Sequence, residues 1–169
     1  MNNLFVCLEI EDGIVGEVSL ELLTKGRSLA NKLQCQLEAV AIGDKLDKVP
    51  SQVFPYGVDV LYIAEDKRLS PYTSLPHTSV LVNLFKEEKP QIALMGATSV
   101  GRDLGPRVSS ALFSGLTADC TSLEIGDYEE KKEGKIYQNL LYQIRPAFGG
   151  NIVATIVNPN QRPQMATVR

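Results

Sequence analysis

The stretch QIALMGATSVGRDLGPR, residues 91–107, decides the fold class of this chain. Its first five residues form an apolar run of the kind that builds a buried strand. Residues 96–103 then form a turn that presents backbone N–H groups at the start of a helix. A strand that turns into a helix is the repeating unit of a parallel α/β sheet, so we expect such a sheet here.

The residues before this stretch repeat the same alternation of apolar runs and helical periods. The predicted strands are residues 3–10, 37–42 and 58–63, of which the last two are nearly continuously apolar. Such strands are expected to be buried on both faces. The predicted helices lie between residues 15 and 33 and from about 77 to 89, where Pro90 ends the second one. Two prolines within residues 49–56 restrict any helix there to a short one.

The pattern changes after residue 112, because strand-like runs then follow one another without helices between them. These runs are residues 120–125, 136–144, 151–157 and 164–168. We therefore predict one α/β domain, with a parallel core at residues 1–112 and mainly antiparallel strands at residues 113–169. The charged segment 126–134 begins and ends with glycine, which is typical of a solvated hairpin tip.

Composition and charge exclude several classes of function. The formal net charge is -3, and the basic residues are scattered, which argues against a nucleic-acid partner. Cys7, Cys35 and Cys120 form no CxxC pair, so we expect reduced thiols, no metal site and a cytoplasmic location. A signal peptide is not expected, because no basic region precedes the first apolar run and Glu9, Glu11 and Asp12 soon follow it. A membrane span is not expected either, since no apolar stretch approaches 18 residues.

The turn at residues 96–103 is the best local candidate for binding chemistry. The candidate anion-binding residues are Gly96, Thr98, Ser99, Gly101 and Arg102. A phosphate loop ends in Gly-Lys-Ser/Thr, but this turn carries Arg102 and Asp103 at those places, and an aspartate would repel a phosphate. The other reading is a glycine turn whose helix is capped by Thr98, Ser99 or Asp103.

No complete catalytic group is visible in the sequence, so no catalytic residue is assigned. The only histidine, His77, follows Pro76 at a helix start, where a surface or capping role is expected. The first strand leads into Glu11-Asp12-Gly13 and not into the GxGxxG of a dinucleotide site.

Three ordered blocks carry a resemblance to a known family: GATSVGRDL at residues 96–104, GLTADCT at 115–121 and RPAFGGNI at 145–152. Together they resemble the N-terminal domain of the electron-transfer flavoprotein α subunit. The closing MATVR, residues 165–169, resembles the strand that leads out of that domain. The resemblance covers the whole chain and is most specific from residue 91 onward.

This resemblance implies a three-layer, Rossmann-like fold of the adenine nucleotide α-hydrolase type, with helices on both faces of a parallel sheet. It further implies a heterodimer with a β subunit, whose FAD accepts electrons from dehydrogenases such as acyl-CoA dehydrogenases of fatty acid β-oxidation and passes them to a downstream acceptor. The family's FAD contacts come mostly from a C-terminal domain, whose motifs have no counterpart here. We therefore expect a fragment that does not bind FAD alone. AMP is expected in the β subunit, and the equivalent site here is expected to be degenerate.

The glycine-rich stretch around residue 148 is the expected contact surface for the β subunit and the missing flavin domain. Its candidate interface residues are Arg145, Phe148 and Asn151. The alternative interpretation of this stretch is an irregular connection between two strands, in which Arg145 pairs with an acidic residue on the surface. Two other classes stay open: a stand-alone nucleotide-binding module resembling universal stress proteins, and a small hydrolase that uses His77.

Overall fold

The computed structural model describes residues 3–131, 134–147 and 152–169. Its strands are β1 (Leu4–Cys7), β2 (Ile10–Glu11), β3 (Ile14–Val15), β4 (Leu37–Gly43), β5 (Val60–Glu65), β6 (Ile92–Gly96), β7 (Leu116–Cys120), β8 (Ser122–Glu130), β9 (Lys135–Pro146), β10 (Val153–Ile156) and β11 (Gln164–Val168). Its α-helices are α1 (Glu17–Leu33), α2 (Val49–Val53), α3 (Ser74–Glu88) and α4 (Ser99–Ala111). Short 3-10 turns lie at Phe54–Tyr56 and Lys67–Leu69.

The central sheet has six parallel strands in the order β5-β4-β1-β6-β11-β7. Side chains alternate between the two faces of a strand. On β1, Leu4 and Val6 accordingly enter one apolar core with α1, while Phe5 and Cys7 enter a second core with α3 and α4. Helices therefore cover both faces of the sheet, which confirms the predicted three-layer α/β fold.

Two of the predicted strands differ from those in the structure. The first strand ends at Cys7, and the chain then forms the small β2-β3 hairpin before α1 begins. The strand predicted at residues 58–63 is β5, which pairs only with β4 and is an edge of the sheet. The prediction of burial on both faces is wrong for this strand, and 46% of Ile63 is exposed, because an edge strand lacks a neighbour on one side.

The predicted antiparallel extension is confirmed for β8, β9 and β10, but the predicted run at residues 164–168, which is β11, is parallel to its neighbours, and β7 is not among the predicted runs. β11 inserts between β6 and β7 and runs parallel to both of them. Antiparallel pairing is expected where no helix separates two strands. Between β7 and β11, however, the chain passes through the three strands β8, β9 and β10, and this path brings β11 back parallel to β7. The parallel sheet is thus completed by residues far along the sequence.

The antiparallel part is a separate sheet in the order β10-β9-β8. It packs on the α1 face, where Leu123, Ile125 and Leu141 join the core of that side. The Lys32 ammonium of α1 donates to the Ile125 carbonyl oxygen at 3.0 Å. Gly126 lies inside β8, so the hairpin tip is shorter than the predicted 126–134.

Candidate functional site

The turn between β6 and α4 is built around Thr98, which is the N-cap residue of α4. Its hydroxyl oxygen accepts the Gly101 backbone N–H at 3.1 Å. A Cβ atom on Gly101 would collide with the Gly96 carbonyl oxygen, so the close approach of these two backbones requires glycine. Of the three predicted capping residues, Thr98 is the one that caps the helix.

The carboxylate of Glu9, in the loop that follows β1, contacts this turn. The Thr98 hydroxyl donates to Glu9 Oε1 at 2.6 Å, and the same oxygen would lie 2.9 Å from a Cβ on Gly96. The positive end of the α4 dipole favours a negative charge there. Because the Glu9 side chain is half buried, its pKa is raised above the ordinary value, although the Thr98 hydrogen bond opposes that rise. An acidic side chain of the protein thus lies beside the start of α4, where it would repel an anionic ligand.

The two charged residues that follow the turn already have partners in the protein. Arg102 Nε donates to Asp119 Oδ1 at 3.0 Å. Asp103 accepts the Tyr72 hydroxyl at 2.6 Å and Arg107 Nε at 2.9 Å, and these hydrogen bonds hold its pKa below the ordinary value. Ser99 is exposed in the first turn of α4. The described contacts are those of a helix start that is capped by Thr98 and followed by charged residues with partners in the protein.

A cavity of about 880 Å³ opens beside this turn at the carboxyl ends of β1, β4 and β6. Open α/β sheets commonly bind ligands at that edge. The β2-β3 hairpin, the residues before α3 and the first turn of α4 form its walls.

His77 lines this cavity and is only 6% exposed, so the predicted surface role is wrong. Its Nδ1 lies 2.9 Å from the Thr73 carbonyl oxygen. Because a carbonyl oxygen only accepts, Nδ1 must carry a proton to donate a hydrogen bond to it. Burial lowers the pKa of the imidazole, more than the Thr73 contact raises it. Tyr72 meets the ring edge-on with centroids 4.8 Å apart.

A second charged cluster lies where β7 and β11 end. Asp119 lies between Arg102 and Arg169, whose Nη2 is 3.6 Å from its Oδ2. Burial raises the pKa of the neighbouring Cys120 thiol to about 11, with Arg145 opposing and Asp119 supporting the rise. With Arg102 and Arg169 on Asp119 and Arg145 near Cys120, arginine side chains predominate in this cluster. Of the predicted interface residues, Arg145 lies here on β9, while Phe148 and Asn151 are outside the described residues.

Other kinds of site are missing from the part of the chain that the structure describes. It holds no group of three His, Cys, Asp or Glu side chains that could bind a metal ion. None of its helices has the length and apolar character needed to cross a membrane. The described cysteines Cys7, Cys35 and Cys120 are free thiols.

The sequence alone does not identify Glu9 as part of this site. It lies 89 positions before Thr98, and nothing in its local pattern distinguishes it from the acidic turn that follows. The partners of Arg102 and Asp103 are closer in sequence but still outside the turn, with Asp119 17 positions after Arg102 and Tyr72 31 positions before Asp103. The one available signal was that Glu9 directly follows a buried strand, whose end lies at the same edge as the turn.

Comparisons with known proteins identify the family to which this sequence is similar. The electron transfer flavoprotein domain family matches residues 4–169. The chain is 44% identical over 165 residues to the electron transfer flavoprotein subunit alpha of Clostridium acetobutylicum, covering 98% of this chain and 46% of that protein. It is 39% identical to protein FixB of Azorhizobium caulinodans, covering 99% of this chain and 43% of that one.

A third relative is named acryloyl-CoA reductase electron transfer subunit beta and comes from Anaerotignum propionicum. Its identity is 34% over 180 residues, covering 99% of this chain and 49% of that protein. The chain thus spans about half the length of the curated relatives it matches. The resemblance to the α subunit is confirmed, and the chain belongs to the electron transfer flavoprotein family.

Proposed function

We propose that this chain is the scaffold and subunit-interface domain of an electron-transfer flavoprotein α subunit. The intact protein would be a heterodimer with a β subunit. Its FAD would take electrons from dehydrogenases, such as acyl-CoA dehydrogenases, and pass them to a downstream acceptor. The observation that carries the proposal is the family match over residues 4–169, together with relatives named as α subunits. The free cysteines support a cytoplasmic location.

The described residues do not fit FAD. A flavin dinucleotide needs N–H groups and positive charge for its pyrophosphate. At the turn before α4, which lines the cavity, the Glu9 carboxylate accepts the Thr98 hydroxyl, and Arg102 is paired with Asp119. The role proposed for this domain is therefore structural: it supports the contact surface for the other parts of the heterodimer. No self-contained catalysis is assigned to it.

The charged cluster around Asp119 supports the role as an interface. Arg102 and Arg169 are more than half exposed as side chains, and Arg145 contributes a further positive charge near Cys120. Such a surface suits an acidic patch on a partner, because complementary charges speed association and fix the orientation of docking. The antiparallel sheet adds the exposed apolar residues Val153 and Ile156, which suit the centre of an interface.

Co-elution in size-exclusion chromatography tests this proposal. The purified chain is mixed with an electron-transfer flavoprotein β subunit, with and without the separate flavin-binding domain and FAD. A ternary complex that carries the flavin absorbance is the expected result. If the chain elutes alone under every condition at low salt, the interface role is wrong.

The alternative is a stand-alone nucleotide-binding module. Titration calorimetry with ATP separates the two, because tight binding by this chain alone would favour the module. We expect no ATP binding, since Glu9 and Asp103 place negative charge around the turn. A hydrolase that depends on His77 is tested by whether His77→Ala abolishes any hydrolysis that the chain shows.

A further inference from the structure

We infer that Glu38 is a proton-sensitive lock at the amino ends of the central strands. With a proton on its carboxyl, it holds the edge strand β5 and the last turn of α3 against the sheet, and its charged form loosens both. Glu38 lies near the start of β4, at the edge of the sheet opposite the candidate functional site. The inference therefore goes beyond the proposed function and requires neither a flavin nor a partner.

The Glu38 carboxyl is buried with one oxygen unsatisfied. Glu38 is the second residue of β4, lies between Phe5 of β1 and Val60 of β5, and is only 3% exposed. Its Oε1 accepts a hydrogen bond from Asn3 Nδ2, whereas its Oε2 has no hydrogen-bond partner among the residues that the structure describes. Burial of an oxygen without a partner disfavours the charged form of the carboxyl, and a proton on that oxygen removes the charge.

Three aromatic rings beside Glu38 link β5 and α3 to the sheet. Phe5, which pairs with Glu38 in the register of β1 and β4, stacks on Tyr62 of β5 with ring centroids 5.6 Å apart. The ring of Phe85, in the last turn of α3, meets Phe5 edge-on with centroids 5.4 Å apart. Because β5 is an edge strand and α3 is held to the sheet by its side chains, a charge beside these rings weakens the attachment of both elements.

Two further carboxylates act on Glu38 from the neighbouring elements. Glu88 is the last residue of α3, and Asp59 directly precedes β5. Arg27 of α1 pairs with Asp59 at 2.7 Å, and Lys89 follows Glu88 as the C-cap residue of α3. A negative charge on Glu38 would be the third carboxylate in this group, and like charges repel.

The number of protons in the cluster favours one more on Glu38. Burial and the charges of Glu38 and Glu88 raise the pKa of the Tyr62 hydroxyl to about 12, so Tyr62 keeps its single proton. Burial likewise raises the pKa of the Glu38 carboxyl above its ordinary value of 4.5. The charges of Glu88 and Asp59 add to this rise, and the hydrogen bonds from Asn3 and Tyr62 oppose it. A proton on Glu38 supplies the second donor that two carboxyl groups beside one hydroxyl need.

Amide hydrogen exchange of the whole chain, followed by NMR at several pH values, tests the inference. The folded chain binds this proton more tightly than the unfolded chain does, so the stability that it contributes is lost as the pH rises from 4.5 through the raised pKa. After correction for the intrinsic exchange rate at each pH, the amides of β5 and of the last turn of α3 should lose protection. The loss should be at most about tenfold for each pH unit, which is the limit for one proton. The amides of β6, in the middle of the sheet, should lose less.

Three variants make the test specific. Glu38→Gln keeps the shape of the side chain without a charge and should flatten the pH dependence in β5 and α3. Because Glu9 titrates in the same direction, the native chain is compared with this variant at each pH. Glu88→Gln removes one neighbouring charge and should move the loss of protection to lower pH. Glu124→Gln, which changes an exposed acid on β8, is the matched control and should leave the loss unchanged.

A second measurement keeps the inference testable if Glu38→Gln fails to fold. The carboxyl carbon of Glu38 in the isotope-labelled native chain should titrate above pH 4.5. A titration at or below pH 4.5 would overturn the inference, as would an equal loss of protection in the native chain and Glu38→Gln, or a loss that is the same in β5 and β6. Neither measurement involves the β subunit, so failure here leaves the co-elution experiment unaffected.

Discussion

The hydroxyl of Thr98 joins Glu9 to the first turn of α4, because it donates to Glu9 Oε1 and accepts the Gly101 N–H. A hydroxyl has one proton, so these two bonds fix its orientation. Replacing Thr98 by valine removes both bonds while keeping the shape of the side chain. We expect a loss of about 1 to 2 kcal/mol in the free energy of unfolding, measured in urea.

Thr98→Ser is the matched control for this prediction, since it keeps the hydroxyl. It should retain most of the stability that Thr98→Val loses. Equal losses in the two variants would show that packing of the methyl group, and not the hydroxyl, holds the turn.

The stability of the protein should depend on pH through Glu9. Half-burial raises the pKa of this carboxyl in the folded protein above its ordinary value of 4.5. The folded chain therefore binds the proton more tightly than the unfolded chain does, and its stability falls as the pH rises from 4.5 through the raised pKa. Glu9→Gln should remove this part of the dependence.

The measurement is the difference in unfolding free energy between the native chain and Glu9→Gln at several pH values. Relative to the variant, the native chain should be more stable at the acidic end than at neutral pH. A difference that is constant with pH would contradict the raised pKa of Glu9.

Gly101→Ala should be among the most damaging single-methyl additions to this chain. The new Cβ would collide with the Gly96 carbonyl oxygen, which belongs to the backbone and cannot move aside as a flexible side chain can. We expect a loss of at least about 3 kcal/mol in chemical unfolding. The control is Gly16→Ala, where the nearest atom would be 3.5 Å away, and little change is expected.

Reversing the charge of Arg145 should weaken the complex with the β subunit. Arg145 adds positive charge near Cys120, beside the Arg102, Asp119 and Arg169 cluster. In the co-elution experiment, Arg145→Glu should lower the affinity by about tenfold or more at low salt. Arg68→Glu is the control, since that exposed arginine pairs with Asp66 in a separate turn. Equal effects of the two variants would point to net charge and not to an interface.

The parallel strands up to β6 were predictable because apolar runs and helical periods are local signals. The positions of β5 and β11 in the sheet were not predictable. The order of strands depends on which strands pair, and the composition of a strand does not determine its neighbours. The sequence of β11, QMATV, carries no local signal that separates parallel from antiparallel neighbours. Its place between β6 and β7 follows from the return of the chain through the second sheet.

The candidate site was predictable only in part, for a related reason. The spacing of residues 96–103 predicts a turn at a helix start, and Asp103 argues against the binding of a phosphate there. The groups that define the site's electrostatics lie far away in sequence, with Glu9 before it and Asp119 after it. Contacts of that separation are set by the tertiary fold, which one sequence does not display.

The insertion of β11 beside β7 has a consequence for how the polypeptide path is organised. These strands are adjacent in space, yet the three strands of the antiparallel sheet lie between them in the chain. That sheet is therefore a detour that leaves from Cys120 and returns at Gln164. Its inner side supplies Leu123, Ile125 and Leu141 to the core on the α1 face, so the detour also covers one face of the molecule. Variation at its exposed positions, such as Val153 and Ile156, can change the outer surface, whereas variation at its buried positions is expected to disturb the α1 layer.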